Sequence, residues 1–317
     1  MGTTWSLTWV DRDRQLAGTC KECKDTAAIT APELQNAIES ELARLNQLMS
    51  TWDPQSELSG FNQLRHTEPV RLHSDTLVLI DAALVISHLT GGRYDITLQP
   101  VIDLWGFNRN TNTPTPADDD IDDALASTGY LNLVRVADTV RKRKPDLSID
   151  VSSLGKGYAV DKLGELAESL GVGHYIVDIG GEVRARGVRA DGSHWLVGIE
   201  NPEGDVNLGV RLLNSQIATS GSYRNFRMED GKRLSHIIDG TTGRPISHNL
   251  VSVSVVHDST MLADAWATAL LVVGEQEAKA LMREQKLAAQ LVTYQDGGFV
   301  RHATAAFDQL LVSAETP

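Results

Sequence analysis

The stretch LADAWATALL (Leu262–Leu271) restricts the fold more than any other part of the chain. It reads as a buried helix, apolar on nearly every side, so other elements must cover it. Asp258-Ser259-Thr260 just ahead of it supply a capping cluster for its N-terminus. Inside the run stands one ionisable group, Asp264, with Thr268 four residues on. Residues at that spacing share a helix face. An unpaired charge in an apolar interior is costly, so Asp264 must be paired, protonated or bound to a metal. A carboxylate, a hydroxyl and nearby backbone carbonyls make an all-oxygen donor set, which suits Mg2+ and not zinc.

The rest of the chain supplies the cover. TTWSLTWV alternates as a strand, and APELQNAIESELARLNQLMS (Ala31–Ser50) is an amphipathic helix ended by Pro54, with WDPQSELSGFN as a loop. SDTLVLIDAALVISHLTGG is a second helix, with Ser74 as N-cap and Gly91-Gly92 as its stop. Residues 108–120 form a polar, proline-containing surface excursion within one domain spanning 1–317. LSIDVSSLGKGYAVDKLGELAESLGVG reads as strand, tight turn, helix and glycine stop. Short strands follow (YIVDIGGEVRARG, HWLVGIE, NLGVRLL, QIATSGSYRNF, LSHIID, LVSVSVV), then the opening helix, a helix EQEAKALMREQ and a strand AAQLVTY. Strands clustered between helices without strict βαβ alternation predict an α+β fold with largely antiparallel sheets and packed helices.

The net charge of −13 over 317 residues argues against nucleic acid as a partner, because phosphates find no reservoir of Lys and Arg. No apolar run reaches the roughly 18 residues of a membrane span. No signal peptide is evident, and the chain starts in strand-like sequence at Met1-Gly2-Thr3-Thr4-Trp5, as a trimmed mature chain would. Cys20 and Cys23 have no second Cys or His pair at ligand spacing, so they read as two loop thiols, bridged or free, rather than a redox pair or half a zinc site.

Several familiar chemistries fail on residue order. Gly157 follows Lys156 where a phosphate loop needs Ser or Thr, and GVGHYIVDIGG runs from helix to strand, the reverse of a dinucleotide fingerprint. ATSGSY lacks the nucleophile-elbow pattern, so Ser220-Gly221 reads as a turn. His236 stands beside the irregular turn of Asp239, Gly240 and Gly243, where either a structural or a chemical histidine fits. Asp150, ahead of Ser152, Ser153 and Lys156, is either a cap for the following helix or a ligand.

Taken in order, Met1-Gly2-Thr3, STWDPQSELSGFN, TGGRYDITLQPVIDLWGF, DVSSLGKGYAVD, DIGGEVRARG, IATSGSYRNF, LSHIIDGTTGRPI and ADAWATALLVVG resemble the ApbE family of Mg2+-dependent FAD:protein FMN transferases, from residue 1 to about residue 274. The resemblance implies an ApbE-like, T-fold-like architecture. It implies metal ligands at the Asp264 carboxylate, the Thr268 hydroxyl and backbone oxygens at Ser153 and near Ala267. FAD contacts fall on Met1, Trp52, Arg93, Tyr94, Asp95, Asp150, Lys156 and Ile238, and the catalytic histidine falls on His236, with Asp264 beside it in catalysis. Trp52 stands where Tyr is common, Gly155 where Ala is common, and Asp239-Gly240 where Asp-Pro is frequent.

The implied reaction moves FMN from FAD to a threonine hydroxyl of an acceptor protein and releases AMP. The implied acceptor carries an Asp-Gly-x-Ser/Thr-Ala-Thr segment, as on subunits of a sodium-pumping NADH:quinone oxidoreductase or related redox complex. The implied place is the periplasmic face, as an inner-membrane lipoprotein attached only through a lipid anchor; with no signal evident in this sequence, a member that stays inside the cell is the alternative. Two rivals share the residues: an FAD pyrophosphatase giving FMN and AMP, and a non-catalytic FAD-binding protein, which would need neither metal nor base.

Overall fold

A computed structural model describes residues 3–10, 29–107, 114–200, 204, 206–222, 226–229 and 232–313. Met1, Cys20 and Cys23, singled out in the sequence, lie outside the described residues. Strand β1 (Trp5–Trp9) precedes helices α1 (Ala31–Met49) and α2 (Glu57–Gln63) and the short strand β2 (Val70–Arg71). Helices α3 (Ser74–Leu89), α4 (Gln99–Trp105) and α5 (Asp118–Ala126) lead to strands β3 (Leu133–Val136) and β4 (Thr139–Lys142). Helix α6 (Ser152–Ser169) feeds β5 (Tyr175–Ile179), β6 (Glu182–Arg186), β7 (Trp195–Glu200), β8 (Val206–Leu212) and β9 (Gln216–Gly221).

Four short strands follow: β10 (Phe226–Glu229), β11 (Lys232–Ser235), β12 (Ile238–Asp239) and β13 (Arg244–Pro245). The chain closes with β14 (Leu250–His257), α7 (Thr260–Val273), α8 (Glu275–Glu284), β15 (Ala288–Gln295), β16 (Gly298–Ala303), α9 (Ala305–Asp308) and β17 (Leu311–Ser313).

The main sheet runs β1-β5-β6-β9-β14-β15-β16, every neighbouring pair antiparallel. The α+β expectation therefore holds. Strand β14 is covered on both faces: Val253 and Val255 are fully buried under α7, and Val256 packs into the cluster on the other side. Helices α6 and α7 lie on this sheet, and α1 and α3 close over them, so α7 is covered as its composition demands. A smaller sheet, β17-β8-β7, packs on the opposite side through Trp195, Val210, Leu212 and Phe307. No helix among the described residues is long and apolar enough to cross a membrane.

Four local expectations need correction. WDPQSELSGFN is not all loop: the Ser56 hydroxyl accepts from the Ser59 N–H and starts α2. The N-cap of α3 is His73, whose ring nitrogen accepts from the Asp75 N–H, and Ser74 is already helical. LSID forms no strand. The Asn62 amide bonds both the N–H and the C=O of Ile149, at 2.8 Å each, and so takes the place of a neighbouring strand. Residues 108–113 lie outside the described residues, and the end of the expected excursion, Asp118–Asp120, is the first turn of α5. Its acidic residues there suit the positive end of a helix dipole.

Candidate active site

Helix α7 is held at both ends by side chains from other elements. At its N-terminus Asp161 of α6 accepts from the Ser259 hydroxyl (2.8 Å), the Thr260 N–H (2.9 Å), the Thr260 hydroxyl (2.7 Å) and the Met261 N–H (3.0 Å). At its C-terminus the Arg93 guanidinium donates to the carbonyls of Val273 (2.7 Å) and Val272 (3.1 Å). Both placements match the helix dipole. Gly157 lets α6 approach closely, since a Cβ there would sit 2.3 Å from the Thr260 carbonyl oxygen.

This clamp carries Asp264 and Thr268 into the wall of a cavity of about 1020 Å³. Tyr94, Asp95, Asp150, Ser153, Lys156, His236 and Ile238 line the same space, so most of the residues chosen from the sequence converge there. A second cavity of about 520 Å³ adjoins it, sharing Asp150, Ser152 and Lys156. Trp52 stands on its rim, 69% exposed. Arg93 and Ala267 line neither cavity. Arg93 is engaged by the α7 carbonyls, by Asp239 (2.7 Å) and by Glu277 (3.0 Å), and Ala267 is fully buried within α7. Ser153 sits in the first turn of α6 rather than in a separate turn, and its hydroxyl pairs with the Tyr94 hydroxyl at 2.8 Å.

The electrostatics centre on Asp264, which is 3% exposed. Burial, reinforced by the nearby Glu182 charge, pushes its pKa up to about 8, against Lys156 and the Gly157 N–H, which donates to it at 3.0 Å. A carboxylate raised in this way gains most from a bound cation. Beside it the Thr268 hydroxyl lies 3.0 Å from the Ser220 hydroxyl. Among the described residues no group of three or more His, Cys, Asp or Glu could hold a metal. A cation at Asp264 and Thr268 would complete its shell with hydroxyl, carbonyl or ligand oxygens, a donor set that fits Mg2+.

The Asp150 carboxylate accepts the Ser152 N–H at 2.6 Å, just ahead of α6, and also faces both cavities. Burial raises its pKa against that hydrogen bond. Asp95 is a half-buried strut: it accepts the Thr97 and Tyr130 N–H groups, each at 2.7 Å, and desolvation raises its pKa against them.

Two participants are new. Glu182, 2% exposed, binds the Lys156 ammonium with one oxygen, and its other oxygen is buried without a partner. Burial raises the Glu182 pKa against the pull of Lys156. Burial works to lower the Lys156 pKa, but the charges of Asp264 and Glu182 overcome it and hold the ammonium protonated. The sequence sign was a carboxylate directly after the Gly180-Gly181 turn. Ser220 is the other, and Ser220-Gly221 ends strand β9 instead of forming a turn. The pairing of β9 with β14 brings that strand end to α7.

The model of the ApbE family matches residues 1–291. The chain is 35% identical to the FAD:protein FMN transferase of Vibrio cholerae over 315 residues, covering 98% of this chain and 90% of that protein. It is 38% identical to the FAD:protein FMN transferase of Salmonella typhimurium over 324 residues, covering 99% and 88%. Among solved structures, the flavin transferase ApbE from Vibrio cholerae superposes with a TM-score of 0.88 at 34% identity, over 98% of this chain and 96% of that one. The apo form of the Pseudomonas stutzeri flavinyl transferase ApbE superposes with a TM-score of 0.86 at 33% identity, over 98% and 94%.

Proposed function

This chain belongs to the ApbE family and transfers FMN from FAD to protein, and we propose that it does so by Mg2+-dependent attack of an acceptor threonine hydroxyl on the FMN-side phosphorus, with AMP leaving. The observation that carries the mechanism is the convergence of Asp264, Thr268, Lys156 and His236 on one cavity. Asp264 and Thr268 would hold the ion, with backbone oxygens near Ser153 and Ala267 as further candidate ligands. Bound there, Mg2+ supplies neutralisation of charge on the diphosphate oxygens and on the leaving AMP.

The chain's own residues supply the rest. Lys156, kept protonated by Glu182 and Asp264, presents a positive charge to the diphosphate from the wall shared by both cavities. His236 accepts the threonine proton as the oxygen–phosphorus bond forms. Trp52 offers an aromatic face to the flavin at the second cavity. Tyr94, Asp150 and Ile238 line the nucleotide's path, and Arg93 and Asp95 hold that wall in place. Met1 is a further FAD contact on the resemblance alone.

The acceptor segment we propose is of the Asp-Gly-x-Ser/Thr-Ala-Thr kind, on subunits of a sodium-pumping NADH:quinone oxidoreductase or related redox complex. The compartment we propose is the periplasmic face of the inner membrane, with attachment through a lipid anchor. Both rest on the family resemblance. The test mixes the protein with FAD, Mg2+ and an acceptor bearing that segment, and reads flavin fluorescence on a denaturing gel. Fluorescence on the acceptor is the expected result. Free FMN and AMP with an unlabelled acceptor would show a pyrophosphatase instead.

A further inference from the structure

The second substrate is a protein segment, and one stretch of the cleft wall carries none of the residues assigned to FAD or metal. The residues assigned to FAD and metal that the structure describes come from the α1–α2 loop (Trp52), the α3–α4 loop (Arg93, Tyr94, Asp95), the loop ahead of α6 (Asp150), and α6, α7 and β12. The same cavity is also lined by Val197, Gly198, Ile199 and Glu200, four consecutive residues of β7. Successive side chains of a strand point to opposite faces. Trp195, Val197 and Ile199 indeed turn into the apolar cluster under the small sheet, while Leu196 and Gly198 are exposed. A cavity lined by both sets therefore meets the strand along its edge, where backbone N–H and C=O groups project.

That edge is the outer one. The sheet order β17-β8-β7 leaves β7 paired with β8 alone among the described residues. Natural edge strands are usually guarded by lysine, proline or a bulge. The sequence of β7, WLVGIE, contains neither residue; its one irregularity of register, between Ile199 and Glu200, and its one charge, Glu200, lie at its C-terminal end and leave Trp195–Gly198 unguarded. Gly198 has no side chain to keep another backbone away, a common sign of close approach. Leu196, 51% exposed, gives the edge an apolar foothold.

Resting on the transferase reading, we propose that the acceptor protein docks its hydroxyl-bearing segment as an added strand along the outer edge of β7, which feeds the hydroxyl into the cleft. Main-chain hydrogen bonds would supply affinity, and alternate side chains register. This mode accepts a protein in extended form and excludes hydroxyls buried in a helix.

The test has two arms on the full chain. In the first, amide hydrogen exchange is followed with FAD alone and then with an acceptor whose reactive threonine is replaced by valine. The acceptor is expected to slow exchange across 195–199, and FAD alone is not. In the second, Leu196→Lys is expected to raise the acceptor KM by roughly tenfold, the worth of one buried leucine anchor. FAD affinity should stay unchanged and Leu196→Met should keep the low KM. Unchanged exchange in β7 with the acceptor, protection by FAD alone, or an unchanged KM in Leu196→Lys each overturns the proposal. Labelling of the acceptor with an indifferent β7 refutes the docking only. Failure of the wild-type chain to label any acceptor refutes the transferase reading, and the exchange arm still decides the docking.

Discussion

Gly157→Ala probes the join between scaffold and chemistry. The added Cβ would lie 2.3 Å from the Thr260 carbonyl oxygen, 2.7 Å from the Thr260 carbonyl carbon and 2.8 Å from the Met261 Cα. All three atoms are backbone, so no side chain can swing aside. Ordinary contact needs about 1 Å more, and α7 must move by that amount or α6 must bend. Asp161 resists the movement through its four hydrogen bonds to the same turn. Overpacking of this kind costs about 3 kcal/mol at the upper end, and the better helix propensity of alanine returns about 1 kcal/mol. The net loss is about 2 kcal/mol, a fall of several degrees in Tm.

The same displacement moves the Gly157 N–H away from Asp264 and carries Asp264 and Thr268 with α7. A misplacement of about 1 Å in a reacting constellation lowers rate by roughly a hundredfold. The assay pairs thermal unfolding by circular dichroism with the rate of flavin transfer at saturating Mg2+. Gly60→Ala in α2 is the control, because a Cβ there meets nothing within 4 Å. It should leave Tm level or raise it. Wild-type Tm and rate in Gly157→Ala would refute the reasoning that this crossing fixes the site.

Three further outcomes follow from particular contacts. Lys142 is 2% exposed, with its ammonium over the Phe61 ring and bonded to the Leu64 carbonyl at 3.1 Å; burial, with Arg65 adding, pushes its pKa down to about 8. Between that value and the ordinary pKa the unfolded chain holds the proton that the folded one has lost, so this group makes stability rise with pH, by roughly 3 kcal/mol across the window. Urea unfolding from pH 7.5 to 10 should show that contribution in the wild type and not in Lys142→Met, and equal slopes would refute it. Ser220→Ala frees the Thr268 hydroxyl to turn, so Mn2+ binding read by electron paramagnetic resonance should weaken roughly tenfold while Ser220→Thr binds normally; undiminished binding would remove Ser220 from the site. His236→Ala should bind FAD about as the wild type does, by flavin fluorescence, yet transfer roughly a hundred to ten thousand times more slowly; a large loss of FAD affinity would make His236 a binding residue.

What the sequence disclosed was local. The apolar run around Asp264 announced its own burial, Ser259 announced the helix start, and the four-residue spacing put Asp264 and Thr268 on one face. What it hid depends on contacts between distant elements. Glu182 meets Lys156 only because β6 lies beside α6, and no periodicity encodes that distance. Arg93 sits beside Tyr94 and Asp95 in sequence, but its reach of some 180 positions to the end of α7 turns it into a clamp. Asn62 shows the converse: a single side chain replaces a strand partner for Ile149, which strand propensity alone cannot foresee.

The balance between released AMP and protein-bound flavin tests the chemistry most directly. With FAD, Mg2+ and a threonine-bearing acceptor, wild-type protein should release one AMP for each flavin fixed to the acceptor, with no free FMN. Asp264→Ala should release neither product at a measurable rate. Excess AMP matched by free FMN, or a full yield of labelled acceptor from Asp264→Ala, would contradict transfer at a metal held by this helix.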